Sequence, residues 1–313
     1  MTSAFVFPGQ GSQAVGMGKE LADAFPAARE VFQEIDEALE QNLSRLMWEG
    51  PGEDLTLTEN AQPALMSVSL AALRVLESES GKSLSDMCSL VAGHSLGEYS
   101  ALAAARSLTI SDAAKLLKLR GQSMQAAVPV GEGAMAAVLG LDLDAAEAVA
   151  AEAAQGEVCT AANDNAPGQV VLSGAKAAIE RALVIAKEKG AKRAVLLPVS
   201  APFHCAMMQP AADKMAEALA SADIQAPSVP LVANVVAEKI IDPSRIRDLL
   251  VEQVCGRVRW RESVSYMKNQ GVEQLVEVGA GKVLSGLVRR IERDMTGVNV
   301  GTPADVEAFL NSL

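Results

Sequence analysis

Short apolar runs that end at glycine-bearing turns and give way to segments with helical spacing recur along this chain, and that alternation leaves few folds open to it. Ala4–Phe7 runs into Pro8-Gly9, and Ser89–Ala92 runs into Gly93 and then the helix-forming stretch Glu98–Leu108. A short apolar run reads as a buried strand, and strands alternating with helices imply right-handed crossovers. Further helices are predicted over 60–77, with Asn60 as cap and Pro63 in the first turn, and from Thr109 or Ser111 to about Ala127. A second series begins near residue 230: strand 230–234, helices near 243–254 and 260–269, strand 273–277, and a helix after Gly281. The expectation is an α/β fold with a mostly parallel sheet covered on both faces.

Residues 131–199 have a different rhythm. Ala134–Leu141 reads as strand and Asp144–Gln155 as helix. Val158–Ala162 and Gln169–Ser173 read as strands flanking a turn over Asn163–Gly168, followed by helix Ala175–Lys189 and strand Arg193–Val199. That order, βαββαβ, is the ferredoxin-like pattern. The expected organisation is one large α/β domain, residues 1–130 and 200–313, interrupted by a compact subdomain at 131–199.

Composition narrows the function classes. Thirty-nine acidic against 27 basic residues give a net charge of −12, a field that repels phosphate backbones and argues against nucleic-acid binding. No apolar run reaches the length of a membrane helix, and the first residues lack the basic and apolar pattern of a secretory signal. The four cysteines form no CxxC pair, so they are expected to be reduced thiols in a cytoplasm rather than metal ligands.

Three residues carry the candidate chemistry. Gly93-His94-Ser95-Leu96-Gly97 matches GxSxG, in which a serine sits on a tight strand-to-helix turn and flanking glycines avoid clashes. The chain has two histidines, His94 and His204. His94 adjoins Ser95 on the turn and is poorly placed to take its proton, which leaves His204 as the expected base. On the helix after Ser111, Ala113, Leu117, Arg120 and Met124 form one apolar stripe, so Arg120 is expected to be buried and must find an anion. Either a nearby Asp or Glu or a substrate carboxylate would serve. Gly9-Gln10-Gly11-Ser12-Gln13-Ala14 fits a dinucleotide-binding turn, but residues 19–43 are helical where that fold needs a second strand. Such a loop can instead bring backbone N–H groups to an oxyanion.

Phe7-Pro8-Gly9-Gln10-Gly11-Ser12-Gln13, Gly93-His94-Ser95-Leu96-Gly97-Glu98-Tyr99, Arg120-Gly121, Ala162-Asn163, Ala201-Pro202-Phe203-His204 and Val276-Glu277-Val278-Gly279 occur in one order. Together they resemble the malonyl-CoA:acyl carrier protein transacylases and the acyltransferase domains of fatty-acid and polyketide synthases, from about residue 4 to residue 300. The resemblance implies an α/β-hydrolase-like domain with a ferredoxin-like subdomain. It implies Ser95 as nucleophile, His204 as base, the N–H groups of Gln10 and Leu96 as oxyanion hole, and Arg120 as clamp on a malonyl carboxylate. It implies that the Gln253 carbonyl orients His204, that Asn163 and Phe203 contact substrate, and that Phe203 disfavours branched acyl groups. The substrates implied are malonyl-CoA and acyl carrier protein, with no bound cofactor and no metal.

Carrier proteins are typically acidic, and Lys187, Lys189, Lys192 and Arg193 form the densest basic cluster for docking one; an ordinary solvated helix end accounts for them equally. Two rivals remain at this stage. An esterase or thioesterase would need an Asp or Glu between Ser95 and His204 in chain order, such as Asp142, Asp144 or Asp164, and a non-catalytic carrier-binding module would not need the Ser95, His204 and Arg120 that this chain keeps.

Overall fold

The computed structural model describes residues 2–313. Among them ten strands follow in order: β1 (Ser3–Phe7), β2 (Leu90–Gly93), β3 (Gly133–Leu139), β4 (Cys159–Ala166), β5 (Gln169–Ala175), β6 (Arg193–Leu196), β7 (Leu231–Val232), β8 (Lys239–Ile240), β9 (Gln274–Val278) and β10 (Thr296–Val300). They form two sheets. The larger has the order β10-β9-β1-β2-β7-β8, with every pair parallel except β7–β8. The smaller, β4-β5-β3-β6, is antiparallel, and the helices Leu143–Ala154 and Lys176–Glu188 connect its strands in the βαββαβ order.

Strands β1 and β2 are buried on both faces because helices cover both, which is why they read as unbroken apolar runs rather than as alternating ones. One face carries the main core, where Phe5, Phe7 and Val91 pack with Leu65, Leu73 and Leu117 of the long helices. The opposite face packs Val6, Ala92 and Val232 against Trp260, Val264 and Leu287. The small sheet has its own core of Val138, Val149, Leu172 and Ile179. With aromatics at 3% of the chain, aliphatic and alanine side chains supply most of this packing.

Several local expectations are corrected. The helix expected at 60–77 spans Thr58–Ser80, so Pro63 lies in its second turn and Asn60 is no cap. Asn60 instead ties neighbours together, donating to the Asp54 carbonyl and accepting from Gln41 and Lys118. Thr109, not Ser111, caps the helix Ile110–Ala127. The turn assigned to Asn163–Gly168 is mostly strand: β4 runs to Ala166, and pairing with β5 and with Val258 overrides the turn preference of Asn-Asp-Asn. The strands expected over 230–234 and to Val199 are shorter, ending as β7 and β6. The helices Gln209–Ser221 and Pro303–Leu310 and the edge strands β8 and β10 were not anticipated. After β1 the chain passes through helices alone before β2, so no second strand supports a dinucleotide site. Among the described residues no helix is long and apolar enough to cross a membrane.

Candidate active site

Strand β2 ends at Gly93, and the helix Gly97–Ala104 starts four residues later, so the chain reverses almost on itself. A Cβ on Gly93 would collide with the Gly97 carbonyl, and one on Gly97 would collide with the Phe7 carbonyl. Only glycine fits at either position, which gives the two flanking glycines of the motif their steric cause. Between them Ser95 adopts φ 54°, a left-handed conformation that a non-glycine residue holds only when its surroundings enforce it. Three hydrogen bonds do so. Ser95 N–H donates to Asn234 Oδ1 (2.8 Å), Asn234 Nδ2 donates to the Gly93 carbonyl (2.6 Å), and Gln253 Nε2 donates to the Ser95 carbonyl (3.0 Å).

His204 arrives on the loop that follows β6 and is also left-handed, with φ 59°. Its Nε2 lies 2.8 Å from Ser95 Oγ, and its Nδ1 lies 2.8 Å from the Gln253 carbonyl and 3.1 Å from that of Gly256. Carbonyl oxygens only accept, so Nδ1 carries the proton and Nε2 presents a lone pair to the serine hydroxyl. Burial, reinforced by the Arg120 charge, holds the imidazole at a pKa of about 3, so it is neutral and basic in form at physiological pH. His94 is engaged elsewhere: its Nε2 lies 2.9 Å from Asn165 Oδ1 and its ring packs near Trp260.

Arg120 is 1% exposed, and the stripe of Ala113, Leu117 and Met124 is buried with it. Its Nη1 donates to Gln62 Oε1 (2.7 Å), and its Nη2 donates to Gln253 Oε1 (2.8 Å) and to Ser95 Oγ (3.1 Å). Those acceptors are neutral. Among the described residues no carboxylate lies within ion-pair distance, and Nε has no partner. A buried guanidinium with no carboxylate in direct contact is costly, and an anion entering the cleft would relieve that cost. Of the two partners expected for this arginine, the structural carboxylate is absent.

A cleft of about 360 Å³ opens over these groups, lined by Gln10, Leu96, Asn163, Phe203, Met124 and Met135 among others. Among the described residues the backbone N–H groups of Gln10 and Leu96 make no backbone hydrogen bond. Leu96 also sits at the N-terminus of the helix Gly97–Ala104, where the helix dipole favours negative charge. Asn163 Oδ1 is buried without a partner.

The carboxylates a hydrolase triad would need lie elsewhere. Asp142 caps the helix Leu143–Ala154, Asp164 pairs with Arg261, and Asp144 joins both in a separate surface hollow. Lys187, Lys189, Lys192 and Arg193 are exposed at the end of the helix Lys176–Glu188 and the start of β6, and Lys189 pairs with Glu152. None of the four lines the cleft.

Sequence reasoning missed Gln62, Asn234 and the neighbours that fix them. Gln62 Nε2 donates to Thr58 Oγ1, and Thr58 Oγ1 donates to Gln10 Oε1, which ties the N-terminal loop to the guanidinium. The i, i+4 spacing of Thr58 and Gln62 was the one available signal. Asn234 had none, because it follows a strand of two residues.

The chain matches the family described as the acyl transferase domain over residues 4–301. It is 47% identical to the malonyl CoA-acyl carrier protein transacylase of Bacillus subtilis, covering 99% of this chain and 96% of that protein. The crystal structure of an acyl-carrier-protein-S-malonyltransferase from Bartonella henselae is 54% identical, with a TM-score of 0.97 over 100% of this chain and 99% of that one. A structure of a type II polyketide acyl-carrier protein in complex with its malonyl-transacylase is 44% identical, with a TM-score of 0.97 and full coverage of both chains. A turn that only glycine permits, a serine meeting an imidazole, and likeness along nearly the whole length agree: the chain belongs to the acyl transferase domain family.

Proposed function

We propose that this chain transfers the malonyl group of malonyl-CoA to the phosphopantetheine thiol of an acyl carrier protein by a ping-pong route through a malonyl ester on Ser95. The observation that carries the reading is the placement of one hydroxyl between two groups: Ser95 Oγ lies 2.8 Å from His204 Nε2 and 3.1 Å from an Arg120 that has no carboxylate partner.

In the first half-reaction Ser95 Oγ attacks the thioester carbonyl as His204 Nε2 takes its proton. The tetrahedral oxyanion is received by the N–H groups of Gln10 and Leu96, each contributing about 3 kcal/mol. Coenzyme A departs as the thiol, with the proton returned by His204. In the second, His204 takes the proton of the carrier's thiol, the sulfur attacks the ester, and Ser95 leaves protonated. The Gln253 and Gly256 carbonyls hold the imidazolium that forms in each step, so no acid behind the histidine is required. Arg120 grips the malonyl carboxylate with its planar fork, Phe203 and the two methionines bound the acyl chain, and the Asn163 amide faces the same space. No step needs a resident cofactor.

The four unpaired cysteines fit a reducing compartment, and we place the reaction in the cytoplasm. The division of the chain at residues 131 and 199 is part of the proposal, supported by a small sheet formed wholly within 133–196.

Brief exposure to malonyl-CoA should leave one malonyl adduct on the intact protein and none on Ser95→Ala. An unmodified wild-type chain would overturn the reading. For the carrier, Lys187, Lys192 and Arg193 are the proposed dock, with Lys189 partly neutralised by Glu152. Charge reversal at Lys192 and Arg193 should raise the apparent KM for the carrier about tenfold and leave acylation by malonyl-CoA unchanged. An unchanged carrier KM would leave these residues as a solvated helix end.

A further inference from the structure

Glu98 follows the GxSxG motif directly, in the first turn of the helix Gly97–Ala104, and is 1% exposed. The site therefore holds a buried cation and a buried carboxylate that do not touch. One neutral amide joins them: Gln253 turns its Oε1 to Arg120 Nη2 (2.8 Å) and its Nε2 to Glu98 Oε2 (2.9 Å) and to the Ser95 carbonyl. The charges at its two ends fix which way that amide points. Glu98 Oε2 also accepts from the backbone N–H of Asn234 (3.0 Å), while Oε1 is buried with no partner.

We propose that Glu98 is a positioning residue that takes up a proton from solvent when a carboxylated acyl group is loaded onto Ser95 and releases it when that group leaves. Through Gln253 and Asn234 it braces the turn that carries Ser95 and the guanidinium beside it. The proposal rests on the reading of Arg120 as the partner of a malonyl carboxylate.

The groups around Glu98 set the sign of the exchange. Burial pushes its carboxyl up to about 7, against the pull of Gln253, the Asn234 N–H and the Arg120 charge. Tyr99 and Arg120 are the ionisable groups that act at close range. Strands β1 and β2 carry no ionisable residue, and on the helix Thr58–Ser80 Glu59 pairs with Lys118 and Arg74 with Glu77. On the helix Pro243–Cys255 Arg245 pairs with Glu252. The empty site is thus near neutrality when Glu98 is ionised. A malonyl carboxylate on Arg120 neutralises the one cation that favours ionised Glu98 and adds a second negative charge to a buried space. Both effects favour the protonated carboxyl. The balance is one proton from water or buffer to Glu98. The acylation itself exchanges a serine O–H for a thiol S–H and consumes none while the departing thiol stays protonated.

The test is to count protons during acylation in weakly buffered solution, with adduct stoichiometry read by intact mass. At about pH 7.5, malonyl-CoA should drive uptake of roughly 0.5 to 0.7 proton per adduct, and acetyl-CoA close to none. In Glu98→Gln, which keeps an acceptor oxygen for both hydrogen bonds, the malonyl uptake should vanish. Wild-type malonyl-CoA kcat/KM is expected to fall between about pH 6 and 8, because uptake makes loading harder as pH rises, and that fall should flatten in the variant. Full malonylation without uptake in the wild-type chain overturns this proposal alone and does not depend on any variant folding. Equal uptake in Glu98→Gln assigns the proton to another group and overturns it too. Absence of any malonyl adduct removes the transfer reading and this proposal together.

Discussion

Ser95→Ala, His204→Ala and the double variant are expected to lose nearly the same activity, each slower in malonyl transfer by on the order of 10⁴-fold or more. In the proposed mechanism, attack by Oγ and proton transfer to Nε2 are one event across a 2.8 Å contact, so removing either partner removes the event. A second deletion then has nothing left to disturb. The activity that survives should come from the Gln10 and Leu96 N–H groups and from the anchoring of the acyl group, which none of the three variants touches. Rates of transfer to carrier protein measure this, with thermal melting to show that each variant is folded. His204 is tied to the C-terminal end of the helix Pro243–Cys255 by the Gln253 and Gly256 carbonyls, so a modest loss of stability is expected there and little at Ser95. Were the double variant a further hundredfold slower than either single one, the two groups would be acting independently and the shared proton transfer would be wrong.

What could be read from the sequence follows from how local its cause is. The Ser95 turn is dictated by two glycines, a strand before and a helix after, all within ten residues. His204 was reachable by elimination, since the chain has one other histidine and that one adjoins the serine. Burial of Arg120 followed from helical period, but its partners did not. Gln62 and Gln253 come from segments 58 and 133 residues away, brought together by packing that no local pattern encodes. Asn234 is hidden for the same reason, beside strands β7 and β8 that have two residues each and no countable alternation. At Asn163–Ala166 the local signal was present and misleading: turn-forming residues were drawn into β4 by a partner strand and by Val258, with register shifts at two points along the ladder. The fold was legible where a run buried itself, and the site was legible only where a turn or a residue count constrained it.

Arg120→Ala is expected to lower malonyl-CoA kcat/KM by about 10²- to 10³-fold while leaving acetyl-CoA acylation of Ser95 largely intact. The wild-type guanidinium has neutral acceptors and an unpartnered Nε, so a carboxylated acyl group would complete its surroundings and an acetyl group would not. The same substitution has a second, independent readout. Burial first, and the Arg120 charge next, hold the His204 imidazole at about 3. Removing the cation makes the imidazolium easier to form, so the folded pKa rises and protonation disables the base at a higher pH. The acid limb of kcat/KM for acetyl-CoA should therefore move upward in the variant. Arg120→Lys separates the two effects: its charge keeps the acid limb low, while a single ammonium in place of the planar fork loses most of the malonyl preference. A variant that retained malonyl selectivity would remove Arg120 as the clamp. An acid limb that moved downward would mean that the cation is not what presses on His204, and the charge balance argued for Glu98 would lose its source.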